Sequence, residues 1–267
     1  MGHGFELRKK SILDKLNVEG FVLVKEIAEG LGISETTVRR DLNELDAMGV
    51  LRQVYGGAAR IEQEGPGIRF SLSNRSTSCV DEKRWIGRYG AQLVQDGDIL
   101  YIDAGTTSWE MIPHLRDRRD LTIISNSVRL LQCLDMIGHH SIIQLGGTLR
   151  PQRLDTIGTL AQIGIEQLRG FKAFQGGDGM DIDFGLSAID HESAQLARII
   201  LSNARETIVL ADHSKFDNPS LLYKIIEIDR INHIVTDRPL TPRWEEKCRS
   251  GSVHVHVAPC SPPRSEP

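Results

Sequence analysis

The sequence predicts two folds in series: an N-terminal winged helix-turn-helix, then an open, mostly parallel, Rossmann-like α/β domain. Three observations predict this. Residues 32–51 (GISETTVRRDLNELDAMGVL) read as a helix entered through a tight turn and shaped for a DNA major groove. From residue 99 onward, short apolar runs alternate with helical spacing, the pattern of a parallel sheet. Each of those runs ends in small or polar residues, which gathers the chemistry at one edge of the sheet.

The first domain is read in order. Residues 8–16 (RKKSILDKL) form an amphipathic helix with Ile12, Leu13 and Leu16 on one face. Residues 22–31 (VLVKEIAEGL) form a second short helix, and Gly30, Leu31 and Gly32 make the turn into the third. Ser34 is a good N-cap for that third helix. Val38, Leu42 and Leu45 recur at four and three residues and make one apolar stripe, and Gly49 ends the helix. With the stripe turned inward, Thr36, Arg40 and Asn43 face outward, flanked by Thr37 and Arg39. Hydroxyls, an amide and guanidinium groups are the side chains that read base edges and grip phosphates. Residues 50–58 (VLRQVYGGA) form two short strands, or a strand and a tight turn, and bring Arg52 and Tyr55 beside that helix. The expected DNA-contacting set is therefore Ser34, Thr36, Thr37, Arg39, Arg40, Asn43, Arg52 and Tyr55.

Composition limits how such a module works. The chain has 267 residues, enough for two domains, and 40% are apolar, enough for a core. The formal net charge is −4, so the protein is no general polycation and any grip on DNA is local. No apolar run is long enough to cross a bilayer and the N-terminus has no signal-like apolar stretch, so a cytoplasmic protein is expected. Cys79, Cys133, Cys248 and Cys260 are scattered without metal or redox spacing and read as free thiols. The expected layout is residues 1–58 for DNA binding, a polar linker at 59–80, an effector-binding domain at 81–257 and a tail at 258–267.

In the second domain, residues 81–94 resume helical spacing. Strands are expected at 99–102, 121–124, 142–145, 171–174, 208–210 and 233–235. Behind them lie DAGTT (103–107), SNS (125–127), GGT (146–148), QGGDG (175–179) and ADHSK (211–215). The first opens a helix expected over 108–115. Gly105 would allow close backbone approach, Thr106 and Thr107 would donate hydroxyls, and Asp103 would accept from a sugar hydroxyl; alternatively these residues only cap the helix. Lys215 sits just past a buried strand, where an ammonium needs an anion: a bound phosphate, or simply Asp212. Asn126 lies in the same crevice.

These segments also carry a family resemblance. SETTVRRDLNELDAMGVLRQVYGGA resembles the signature of the DeoR family of bacterial repressors. DAGTTS is similar to that family's phosphate loop, LGGTLR to its GG-x-R turn, FKAFQGGDGMDIDFG to its glycine segment, and ADHSKF to its D-x-SKFG motif. Ser108 stands in place of a third Thr, and Asp217 where the family prefers Gly. The resemblance implies a sensor domain related in fold to ribose-phosphate isomerases and CoA transferases. It also implies a homo-oligomeric repressor that leaves double-stranded operator DNA on binding a phosphorylated sugar, with no further cofactor. The expected effector set is Asp103, Gly105, Thr106, Thr107, Asn126, Gly146, Gly147, Asp178 and Lys215.

Other signals carry less. His191 and Glu192 lack an HExxH context, His139 and His140 fall between elements, and His254 and His256 share a strand face without a third ligand nearby, so no metal is expected. An enzyme on the same scaffold is the alternative, with Asp103, Asp178, Asp181 and Lys215 as its carboxylates and amine. Neither an activated nucleophile nor a lysine–glycine-rich catalytic loop of the ribose-phosphate isomerase kind supports it.

Overall fold

The computed structural model describes residues 3–19, 21–47, 50–54, 57–60, 78–131, 138, 140–217 and 222–259. The chain divides into two compact units, Met1–Phe70 and Ser71–Pro267. The positions expected to end the third helix (Gly49), to lie on the wing (Tyr55) and to form most of the linker (61–77) and tail (260–267) lie outside the described residues, as do His139, Cys133 and Cys260.

In the first unit, α1 (His3–Glu19), β1 (Phe21–Leu23), α2 (Val24–Leu31) and α3 (Glu35–Ala47) precede β2 (Leu51–Val54) and β3 (Gly57–Arg60). The second helix starts two residues later than its periodicity suggests, because Phe21–Leu23 pairs antiparallel with Gly57–Ala59. The result is a three-stranded sheet in the order β1-β3-β2 beside three helices, a winged helix-turn-helix. Gly32 ends α2 in the left-handed region (φ +63°), and the Gly32 and Ile33 amides close onto Glu29 and Ala28 carbonyls. Val38, Leu42 and Leu45 are each fully buried, with Ile12, Leu16, Val22, Ile27 and Leu51 around them. Arg8 of α1 grips Asp41 of α3 through Nε at 2.6 Å and Nη2 at 3.0 Å, and Asp41 is buried. That bidentate pair fixes α3 against α1 and keeps the acidic residue of the RRDL run off the outer face.

The second unit begins with α4 (Val80–Gln92). It is built on seven strands: β4 (Ile99–Ile102), β5 (Thr122–Ser125), β6 (Ser141–Gln144), β9 (Lys172–Gln175), β12 (Glu206–Leu210), β14 (His233–Thr236) and β15 (His254–Val257). Their order is β15-β14-β12-β9-β4-β5-β6, and every pairing is parallel. Alternate residues enter opposite cores. Leu100, Ile102, Ile123, Phe174, Ile208 and Val235 join one, while Tyr101, Ile124, Ala173, Val209 and Ile234 join the other. Among the described residues the remaining helices are α5 (Thr106–Trp109), α6 (Val128–Leu131), α7 (Thr159–Glu166), α8 (His191–Asn203) and α9 (Pro242–Ser250).

Two features depart from the sequence expectation. The helix expected over 108–115 is the four-residue α5 followed by a 3-10 turn at Ile112–His114, because Pro113 has no N–H to continue an α-helix. Beside the parallel sheet lie a hairpin, β7 (Thr148–Arg150) with β8 (Asp155–Ile157), and a three-stranded antiparallel sheet. That sheet pairs β11 (Gly185–Ala188) with β10 (Gly179–Asp181) on one side and β13 (Tyr223–Ile226) on the other.

Leu42→Ala deletes three heavy atoms, Cγ and both Cδ, at the centre of the first core. We expect it to cost about 2–5 kcal/mol, read as an earlier unfolding transition of the first unit in the full chain, and unchanged stability would contradict the packing described.

Candidate DNA-recognition helix and effector cleft

On α3, Thr36, Arg39, Arg40 and Asn43 are exposed, opposite the buried stripe. Three of the expected contacts already have local partners. Ser34 Oγ accepts from the Thr37 amide at 3.2 Å and shares a 2.9 Å hydrogen bond with the Thr37 hydroxyl, so both side chains serve the N-cap. Arg39 pairs with Glu35 one turn earlier at 2.7 Å. Thr36, Arg40 and Asn43 make no hydrogen bond or ion pair with other described residues, which leaves their polar groups available for an outside partner. Arg52 is on β2, with its side chain outside what the structure describes.

In the second unit a cleft opens at the carboxyl ends of β4, β5 and β9, with about 620 Å³ of empty space including its mouth. Asp103, Gly105, Asn126 and Asp178, all expected from the sequence, line it together. Asp103 Oδ2 accepts from the Gly105 amide at 3.0 Å and the Gly176 amide at 3.3 Å, so one carboxylate joins the loops behind two neighbouring strands. A side chain on residue 105 would meet that oxygen at 2.7 Å, so the turn is tight as well as close to the cleft. Asn126 accepts from Tyr101 Oη at 2.9 Å and donates to the Thr156 carbonyl at 3.0 Å. Burial, then the nearby Asp103 and Asp155 carboxylates, push Tyr101 well above its ordinary range, so it remains a neutral donor. Asp178 Oδ2 accepts from the Ile189 amide at 2.9 Å.

Five expected residues are not brought into this cleft. Thr106 and Thr107 are buried on α5 behind Gly105, turned into the protein by the short helix. Gly146 and Gly147 lie exposed in the turn before β7, and Gly147 has a structural reason for its identity. Its φ is +134°, and a Cβ there would stand 2.4 Å from the Ile157 carbonyl oxygen across the hairpin. Lys215 ends a 3-10 turn after β12 and does not line the cleft. It does not pair with Asp212 either. The Asp212 carboxylate instead accepts from the Ser214 amide and hydroxyl.

The cation lining the cleft is Arg153, from the turn between β7 and β8. Its Nη1 donates to Asp190 at 2.6 Å and Ser193 Oγ at 3.2 Å. Arg150 completes the lattice, bidentate to Asp155 at 2.8 and 2.6 Å and reaching Asp190 at 3.0 Å. Burial raises the Asp190 carboxyl, but the Ser193 amide with Arg153 and Arg150 outweighs it and holds the group below the ordinary carboxylate range. Gln175 adds a buried Oε1 with no hydrogen-bond partner among the described residues, while its Nε2 donates to the Gly176 carbonyl. Tyr101, Arg153, Asp155, Gln175 and Ser193 are polar lining residues outside the expected set, although Gln175 opens the QGGDG loop expected at this edge. Only the arginine following the GGTLR turn was a signal that could have found them.

An exposed polar helix face on a winged helix-turn-helix, with a polar cleft at the crevice edge of a parallel sheet, defines a DNA-binding regulator with a sensor unit. Residues 8–64 match the DeoR-like helix-turn-helix domain and residues 78–238 the DeoR C terminal sensor domain, and the chain belongs to the DeoR family. It is 34% identical to the transcriptional repressor AccR of Agrobacterium fabrum, over 92% of this chain and 96% of that one. It is 29% identical to the glycerol-3-phosphate regulon repressor of Escherichia coli K12, over 87% and 90%. Among solved structures, ribose 5-phosphate isomerase A from Methanocaldococcus jannaschii is similar at a TM-score of 0.37 and 19% identity, over 50% of this chain and 53% of that one. No helix among the described residues is long and apolar enough to cross a membrane.

Tyr101→Phe removes the donor that Asn126 Oδ1 uses and leaves that oxygen buried. The expected loss is about 1–3 kcal/mol, measured by chemical denaturation, with an unchanged midpoint counting against the Tyr101–Asn126 bond as a support of the cleft.

Proposed function

We propose that the protein is a repressor of a carbohydrate-metabolism operon, released from its operator by a phosphorylated sugar or sugar-derived metabolite. The observation that carries this reading is the pairing of Arg153 with hydroxyl-binding groups around one cleft. Arg153 is the anion-binding element, in the position that Lys215 was expected to take, and the guanidinium fork suits a phosphate. Asp103, Asp178 and Gln175 would accept from sugar hydroxyls, and the amides that Asp103 gathers would shape the floor. Residues 1–60 serve as the DNA-binding module, with Thr36, Arg40 and Asn43 toward base edges and Arg39, Arg52 and Tyr55 toward the backbone.

A homo-oligomer would present two such modules to paired half-sites. A regulator working on the chromosome belongs in the cytoplasm. The ligand must bind the released state better than the DNA-competent one, because equal affinity shifts nothing. A tenfold loss of operator affinity asks for only about 1.4 kcal/mol of that difference. The enzyme reading loses support: Lys215 does not line the cleft, Asp181 Oδ1 caps the Asp183 and Phe184 amides, and the relatives named above are repressors.

The test is thermal denaturation of the full chain against sugar phosphates, each paired with its free sugar. A phosphate present at a hundred times its Kd adds about 2.7 kcal/mol, and Arg153→Ala should abolish the shift while operator affinity stays near wild type. A shift that survives in Arg153→Ala, or one equal for phosphate and free sugar, contradicts the assignment of the anion subsite. Turnover of any panel member would favour the enzyme.

A further inference from the structure

We propose that Cys79, Asp212 and His213, none of which lines the effector cleft, form a site for a divalent transition-metal ion of the zinc class. Sequence spacing hides it, since 133 positions separate the cysteine from the aspartate; the fold brings them together. Cys79 is the residue before α4, held there in the left-handed region at φ +49°. Asp212 and His213 follow β12, and one ligand atom from each of the three lies within 4.8 Å of the others. A second group, Glu82, His213 and Asp237, meets the same limit and shares the histidine.

An independent observation points to an occupant. Asp212 is completely buried, and its Oδ2 has no hydrogen-bond partner among the described residues, while Oδ1 takes both the amide and the hydroxyl of Ser214. A buried carboxylate oxygen without a donor is costly, and a bound cation relieves that cost. The histidine is oriented as a ligating imidazole usually is. Its Nδ1 stands 2.8 Å from Asp237 Oδ2, and its backbone amide donates to Asp237 Oδ1 at 2.6 Å. With Nδ1–H donated to a carboxylate, Nε2 is the nitrogen left for a metal.

The outer charges are balanced without using Asp212. Arg238 Nε lies 3.2 Å from Asp237, and its Nη2 lies 3.7 Å from Glu82. Thiolate, imidazole and carboxylate together select zinc-like ions over magnesium or calcium. Ligands of one tetrahedral zinc, at about 2.0–2.3 Å from it, stand about 3.3–3.8 Å apart, so three groups within 4.8 Å of one another need to close by no more than about 1.5 Å. Water or Glu82 would take the fourth position. A bound ion would clamp the start of α4 to the turn after β12.

The experiment is titration of chelator-treated, full-length protein with Co²⁺ under reducing conditions. Stoichiometric binding is expected, with a thiolate-to-cobalt charge-transfer band, tetrahedral ligand-field bands and displacement by Zn²⁺. The band should persist in a variant carrying Cys133→Ser, Cys248→Ser and Cys260→Ser, and vanish in Cys79→Ser. Asp237→Asn, which alters the carboxylate that orients His213 and leaves Cys79 and Asp212 in place, should weaken Co²⁺ binding about 10–100-fold. No stoichiometric binding by the wild type overturns the site whatever the variants do, and so does a band that survives in a folded Cys79→Ser. A circular-dichroism melt of each variant separates lost binding from lost fold.

Discussion

All seven strands of the main sheet run the same way, and that constraint decides where this molecule can hold a ligand. Parallel strands are covered on both faces, so their polar loops are the only part of the sheet free for chemistry, and the loops at the carboxyl ends collect along one edge. At that edge Asp103 binds the amides of Gly105 and Gly176 and so ties the loop behind β4 to the loop behind β9. Tyr101 and Asn126 perform the same service between β4 and β5. The cleft is the space these ties leave, closed from outside by the β7–β8 hairpin and α8.

Charge is handled in the same way in both units: several carboxylates that hold elements together are matched by an arginine or lysine nearby. Asp41 is held by Arg8 under the recognition helix, Asp98 by Lys172 and Arg205 at the opposite end of the sheet, and Asp155 and Asp190 by Arg150 and Arg153 at the cleft. The cleft pairs do more than stabilise. Arg153 is shared between the protein lattice and the ligand space, so an incoming phosphate would compete with Asp190 for it. A ligand that rearranges an existing ion pair has a direct means of favouring one conformation over another.

Much of this was legible from residue types and spacing. The recognition helix announced itself through Val38, Leu42 and Leu45, and six strands of the parallel sheet through short apolar runs with polar ends. Asp103, Gly105, Asn126 and Asp178 were expected at one crevice and line one cleft together, because the carboxyl ends of parallel strands share an edge. The short elements were not legible. β10, β11 and β13 have three or four residues each, and β13 pairs with β11 from nearly forty residues away, so no local period marks them. Pro113 shortened a helix that apolar spacing extends. Lys215 was expected at the anion and lies outside the cleft, while Arg153, for which no place was expected, lines it, because the fold of the hairpin brings it there.

The central claim is that occupation of the cleft beside Arg153 weakens the hold of α3 on DNA. The most direct measurement is fluorescence anisotropy of a labelled operator duplex, selected from chromosomal fragments by the protein itself, titrated with the sugar phosphate that gives the thermal shift. The account predicts that this phosphate lowers operator affinity at least tenfold, while its free sugar leaves it unchanged. Full operator binding at saturating phosphate would contradict the account, since the cleft would then be filled without any consequence for the helix that reads DNA.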